Sequence, residues 1–391
     1  ITDLTTEPFS SEDAALIPSG YRYNNISVQI STAASKNQNF ALIHFIPIIY
    51  SGNKAQKVTS FKIEITPSSV TPDKKYKGVS NSVLSSGNWY KIGIVNSGIY
   101  KVTYENLIAL GIPSSAMNSA HLSVFGNGGS MLPERNDIDR PSDLVENSIW
   151  IQDGGDGIFN AGDYFLFYGK GIHSWTVDAP LQTFTHNYNV YADKTYYFIT
   201  FDPSIGLKKR ITQVDNSGLT DNISINTFTH YDFYENDKYN FAESGRQWFD
   251  EGFEMENTKS YNFNLPEPIG TPVRLTFVAG TTISQSSSFS IVVNNTTLQN
   301  MTLSGVLSGN FGVYNVKNYS VPNPSAPLHI TMTYNKPQSS SIAYLDYIEL
   351  QLECYLKFYK DQFPFCAPQS VGEGKIALFE MSNANSATKI W

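Results

Sequence analysis

Cysteine is scarce in this 391-residue chain, which holds only Cys354 and Cys366, separated by a loop that contains Pro364. A nucleophilic cysteine needs a nearby base and an electropositive or helix-start setting to become a thiolate. Cys354 instead ends a β-like run beside Glu353, and Cys366 sits in the apolar stretch Phe363-Pro364-Phe365-Cys366-Ala367-Pro368. Neither reads as catalytic, and as a pair they offer either a disulfide closing a short loop or two buried thiols. Histidine is equally thin: six residues lie scattered at 44, 121, 173, 186, 230 and 329, with no HxxxH or HExxH pair to build a zinc site. A GxSxG nucleophile elbow is also missing. Basic runs stop at Lys208-Lys209-Arg210 in a chain of net charge −8, so the positive stripe that phosphate backbones require is absent. The longest apolar approach, Phe40 to Tyr50, is broken by His44 and Pro47 and is too short to cross a bilayer as a helix. The chain opens at Ile1 without Met or a charged and apolar leader, which fits removal of an export signal.

What is abundant is aromatic and β-branched. Tyr and Phe number 24 each, a composition suited to pleated, half-buried surfaces. Apolar groups fall on every second position in Arg274-Leu275-Thr276-Phe277-Val278, in Phe289-Ser290-Ile291-Val292-Val293 and in His329-Ile330-Thr331-Met332-Thr333-Tyr334, the period of a strand with one buried face. Asn294-Asn295, Ser308-Gly309-Asn310 and Pro322-Asn323-Pro324 punctuate them as turns. One short helix is predicted over Thr103 to Leu110, capped by Thr103, with Leu107 and Leu110 toward a core and Gly111 as the left-handed stop. The fold class is therefore mainly β and multi-domain, with few short helices. Residues 1–78 read as a small N-terminal β domain ending in a Pro, Ser and Lys linker over Pro67 to Gly78. Residues 79–225 read as a mixed β-rich domain with the helix, and 226–370 as a jelly-roll-like β-sandwich. Residues 371–391, with the apolar run at Lys375 to Phe379, read as the start of a further domain.

Two stretches can carry binding chemistry. Asp153-Gly154-Gly155-Asp156-Gly157-Ile158-Phe159-Asn160-Ala161-Gly162-Asp163 offers three carboxylates among glycines. Such a loop either holds calcium through Asp153, Asp156 and Asp163 or is a turn whose aspartates cap neighbouring backbone N–H groups; its spacing is not that of an EF-hand. Arg246, Trp248 and Glu251, within Ser244-Gly245-Arg246-Gln247-Trp248-Phe249-Asp250-Glu251, suit either a recognition surface for peptide or sugar or packing between domains.

Several runs share a source. Val83-Leu84-Ser85-Ser86-Gly87-Asn88-Trp89-Tyr90-Lys91-Ile92 is followed by Ser97-Gly98-Ile99-Tyr100-Lys101-Val102-Thr103-Tyr104-Glu105-Asn106-Leu107, Val124-Phe125-Gly126-Asn127-Gly128-Gly129, Asp163-Tyr164-Phe165-Leu166-Phe167-Tyr168-Gly169, Ser244-Gly245-Arg246-Gln247-Trp248-Phe249 and Lys389-Ile390-Trp391. In this order, over residues 80–391, they resemble the region that precedes the peptidase domain in PorU-like sortases of type IX secretion, members of the gingipain-type cysteine peptidase family.

The resemblance implies a Bacteroidetes protein, exported to the periplasm or to the outer-membrane-associated cell surface, that removes C-terminal sorting signals from secreted cargo. It places the catalytic Cys and His beyond residue 391, so this region is expected to be non-catalytic. Its expected partners are the downstream peptidase domain of the same chain, other secretion or attachment components, and cargo. No cofactor is required beyond the calcium alternative at the Asp-Gly loop. The competing function is an independent carbohydrate- or protein-binding β-sandwich module.

Overall fold

The structure, a computed structural model, describes residues 2–17, 24–26, 28–35, 38–51, 54–64, 81–135, 137–178, 182–216, 218–250 and 252–391. The linker expected over Pro67 to Gly78 lies outside them. Strands hold 43% of the structure and helices 7%, which makes the fold mainly β. The chain forms two compact units, Ile1–Tyr76 and Lys77–Trp391.

In the first unit, strands Thr2–Pro8, Lys54–Lys62 and Ile48–Ser51 form one antiparallel sheet, and Val28–Ser35 pairs with Gln38–Phe45 in a separate hairpin. Its buried apolar residues among those described are Ile17, Ile49, Ala55 and Val58. Much of the apolar run from Phe40 is open to solvent, with Phe40 and Leu42 both near half exposed.

The second unit has two cores. The first lies between a three-stranded sheet, Ile149–Gln152, Tyr164–Gly169 and Gly98–Thr103, and a four-stranded sheet, Tyr90–Ile94, Thr195–Thr200, Ser123–Phe125 and Glu146–Asn147. Leu107, Leu122, Phe165, Phe167 and Tyr197 fill it. The helix forms over Tyr104–Ala109 with a full capping box between Thr103 and Asn106. Leu107 is fully buried as expected, but Leu110 is the C-cap and stays 37% exposed. The chain turns at Gly111, φ +87°, before a second core-facing turn can form.

The second core is a β-sandwich. One sheet runs Thr227–Glu235, Ala343–Tyr355, Val273–Thr281, Val313–Val321; the other runs Thr258–Phe263, Leu328–Asn335, Ser287–Val293, with Thr296–Thr297 and Met301–Leu303 at its edge. All the pairings are antiparallel. Alternation explains the interior: Leu275, Phe277, Phe289, Ile291, Ile330 and Met332 are each at most 1% exposed, and each such side chain contributes about 1.5–3 kcal/mol by leaving water.

The 13-residue central strand Ala343–Tyr355 breaks its own alternation. Ala343 and Leu345 face the core, then Ile348, Leu350, Leu352 and Cys354 do, so the phase slips between Leu345 and Ile348. Pairing slips at the same place, since Val278 lies opposite Tyr347 while Ala279 lies opposite Leu345. Asp346 is the extra residue of a β-bulge, a device that re-aims side chains.

A hairpin of Ser174–Asp178 and Thr183–Asn187 covers the outer face of the sandwich beside this bulge. Phe184 stacks on Tyr231 with ring centroids 4.5 Å apart, and Gln351 accepts from the Phe184 amide at 3.1 Å while donating to the Gln182 carbonyl at 2.6 Å. The mixed and sandwich regions are thereby joined within one unit. After residue 370 the chain lies along the sandwich. Among the described residues Ala377–Phe379 pairs in parallel with Ile223–Ile225 alone, and Phe379 and Met381 pack on the sandwich core.

Candidate functional site

The Asp-Gly loop joins strands Ile149–Gln152 and Tyr164–Gly169. Its carboxylates turn to their own backbone: Asp153 Oδ1 accepts from Gly155 N at 3.1 Å, Asp156 Oδ1 from Ile158 N at 2.9 Å, and Asp163 Oδ2 from Asn160 N at 2.6 Å. Gly155 and Gly162 hold φ of +84° and +97°, conformations that side chains other than glycine resist. Asp153, Asp156 and Asp163 are not gathered around one point; among the described residues a different acidic group is.

Of Arg246, Trp248 and Glu251, the first two are described. Arg246 is half exposed and ion-paired to the exposed Glu134, Trp248 is half-buried, and Glu251 lies outside the described residues. Their neighbours do more. Phe249 is 1% exposed and stacks on Phe241, the buried Asp250 accepts from the Tyr234 hydroxyl at 2.6 Å, and Gln247 donates its amide to Asp346.

The two thiols are free, which corrects the disulfide alternative. Cys354 points into the sandwich core, whereas Cys366 runs along the far side of the Thr227–Glu235 strand, its carbonyl accepting from Thr229 N at 2.9 Å and its Sγ 3.8 Å from the Thr229 carbonyl. That strand lies between them, and two strand spacings of about 4.8 Å each exceed the ~7 Å Cα separation a disulfide spans. Burial, with Glu353 adding to it, pushes Cys354 up to about 12 and Cys366 up to about 11. Thiols in such settings stay protonated and unreactive.

The group that is gathered consists of Glu235, Asp237 and Asp346, one oxygen from each lying within 4.8 Å of the others. Glu235 ends the edge strand Thr227–Glu235, Asp237 follows just beyond it, and Asp346 is the bulged residue of the central strand. Beside them sits His186, carried by the hairpin. Its ring stacks on Phe233 at 4.2 Å, its Nδ1 is 2.7 Å from Glu349 Oε1, and its Nε2 is bonded to Glu235 Oε2. The His186, Glu235 and Glu349 side chains are 3%, 10% and 9% exposed, so little water reaches the bridge.

Both His186 ring nitrogens face carboxylates, which makes the ring a double donor and therefore an imidazolium. Burial pulls its pKa down, but the bonds and charges of Glu235 and Glu349 outweigh that and lift it to about 9. The acids respond in the opposite sense. Burial and then the Glu235 charge push Asp237 up to about 7; burial and then the charges of Glu235 and Asp237 push Asp346 up to about 8, against the pull of His186 and Gln247. Two carboxylates thus hold the His186 cation, and Asp237 and Asp346 gather on the Glu235 side of the bridge. Such an arrangement favours positive charge.

Sequence reading missed His186, Glu235, Asp237, Asp346 and Glu349, because they come from three places in the chain. One signal was present: in Leu345-Asp346-Tyr347-Ile348 the core residues are three apart where a regular strand has two.

No helix among the described residues is long and apolar enough to cross a membrane. No family model and no curated protein matches the chain. A family 36 carbohydrate-binding module in complex with calcium and xylotriose matches 31% of this chain and 98% of the module at 12% identity, with a TM-score of 0.21. A family 35 module from Clostridium thermocellum matches 31% and 90% at 15% identity, with a TM-score of 0.23. Likenesses this loose carry no argument. Dimeric latent PorU from Porphyromonas gingivalis is different: it superposes over 78% of this chain at 22% identity with a TM-score of 0.63, while this chain spans 28% of PorU. Over that share the fold of this chain is PorU-like.

Proposed function

We propose that this chain is the non-catalytic accessory region of a PorU-like cell-surface peptidase that processes the sorting signals of type IX secretion cargo, and that it packs on and presents the peptidase domain. The observation that carries the reading is the PorU-like fold across most of this chain, set against the small share of PorU that it spans. The cysteines support it: both thiols are held high by burial, and among the described residues Sγ of each is hydrogen-bonded to a backbone carbonyl, of Pro266 and of Thr229, where a nucleophile needs a base.

Two measurements test this. Fluorogenic peptides carrying a C-terminal sorting signal, incubated with the chain, are expected to remain intact. Sedimentation of the chain with a separately prepared PorU-type peptidase domain is expected to show a one-to-one complex. Cleavage that disappears in Cys354→Ala or Cys366→Ala would make the chain a peptidase and overturn the proposal, and so would a failure to associate at micromolar concentration.

A further inference from the structure

The acidic group at the bulge is built for more than a hydrogen-bond network. Glu235 and Asp346 each spend one oxygen on a neighbour, on His186 and on Gln247, which leaves their other oxygens for the group. Asp237 spends neither. Both of its carboxylate oxygens are sealed from solvent, each exposing less than 1 Å², and neither has a hydrogen-bond partner among the described residues. A desolvated carboxylate without a donor is costly, and this one is aimed at two more acids.

We propose that Glu235, Asp237 and Asp346 form a calcium site that pins the end of the edge strand to the bulge of the central strand. The chemistry selects the ion. All the free ligands are carboxylate oxygens, the donors of hard cations, and His186 has no ring nitrogen to spare for zinc because both are engaged. Calcium–oxygen bonds of about 2.3–2.6 Å allow ligands up to some 4.6–5.2 Å apart, and the three oxygens already lie within 4.8 Å of one another. Magnesium demands a near-ideal octahedron at about 2.0–2.1 Å, whereas calcium accepts irregular sets in which carboxylates bind through one or both oxygens and water completes the shell. Gln247 adds a fourth ligand when its amide is turned over, since the carboxamide oxygen then takes the place of the nitrogen now facing Asp346. The bulge shapes the site, because it sets Asp346 and Tyr347 side by side between the core residues Leu345 and Ile348.

The site is tested by thermal unfolding and by metal content. The chain is stripped with chelator, dialysed against calcium chloride and measured by atomic emission after removal of free ion. About one calcium per chain is expected, and saturating calcium raises the melting temperature by about 5 °C through linkage to the folded state. Asp237→Asn and Asp346→Asn, which keep the side-chain shapes, remove the bound ion and the shift. A triple change of Asp153, Asp156 and Asp163 to Asn leaves both in place. Absence of bound calcium in the unaltered chain overturns the proposal, and so does calcium that survives in both single variants or leaves with the triple change. The metal count on the unaltered chain decides the matter even where a variant fails to fold.

Discussion

The second unit contains two sets of three carboxylates that differ in almost every respect except residue type. Asp153, Asp156 and Asp163 are close in sequence, and each serves a backbone N–H two or three residues away. Glu235 and Asp237 are neighbours, but they converge with Asp346 from a distant part of the chain. The first set ends as local punctuation, the second as a buried concentration of charge. Proximity in sequence favours turns, because a short side chain meets its own backbone before it meets anything else. Convergence needs a sheet, a bulge and a covering hairpin.

If that contrast holds, the largest effect belongs to the group that balances the buried set. Changing His186 to Ala leaves Glu235 and Glu349 facing each other with little water and no cation. Removing one partner of a buried pair typically costs about 3–5 kcal/mol, and that loss is expected in the urea midpoint with the slope unchanged. A loss below about 1 kcal/mol would mean that the bridge is solvated like a surface pair, and the contrast between the sets would collapse.

A second buried imidazole sharpens the comparison by lacking such partners. His230 lies on the same strand as Glu235, its Nε2 is buried without a hydrogen-bond partner among the described residues, and burial, with Lys360 adding to it, lowers its pKa to about 4. The folded state thus refuses a proton that the unfolded chain accepts near pH 6.5. Stability contributed this way is complete above pH 6.5 and lost as pH falls toward 4, by about 3 kcal/mol over the window. Denaturant titrations at pH 7 and pH 4.5 are expected to show most of that loss, and His230→Leu to reduce it. Equal acid sensitivity in the variant would assign the loss to other groups.

Sequence alone made part of this legible, and the dividing line is contact range. Leu275, Phe277, Ile330 and Met332 declared the sandwich through strict alternation, and Thr103 declared the helix start, because both signals are local. Leu110 misled, since a helix stopped by Gly111 has no further turn to carry that side chain inward. The cysteine spacing was silent about the strand that runs between the two thiols. His186 was the least legible of all: its partners Glu235 and Glu349 lie 49 and 163 positions away, and nothing near it in the chain marks it as different from the other histidines. The bulge at Asp346 falls between these cases, visible as a break in alternation but not as a site.

The smallest effect belongs to the Asp-Gly loop, and its direction separates capping from ion binding. A capping aspartate acts through one oxygen accepting from a backbone N–H, and asparagine supplies a similar acceptor in a similar shape. A calcium ligand acts through charge, which asparagine lacks. Asp163→Asn is therefore expected to leave stability within about 0.5 kcal/mol, the range of neutral surface changes. Asp163→Ala, which abandons the Asn160 N–H, is expected to cost about 1 kcal/mol, the worth of one net hydrogen bond. Both are read from denaturant midpoints with and without chelator in a background carrying Asp346→Asn, so that the buried set contributes no calcium dependence. Should asparagine and alanine prove equally costly, and should chelation erase the difference from the parent, the loop carboxylates act through a bound cation and the two sets are alike after all.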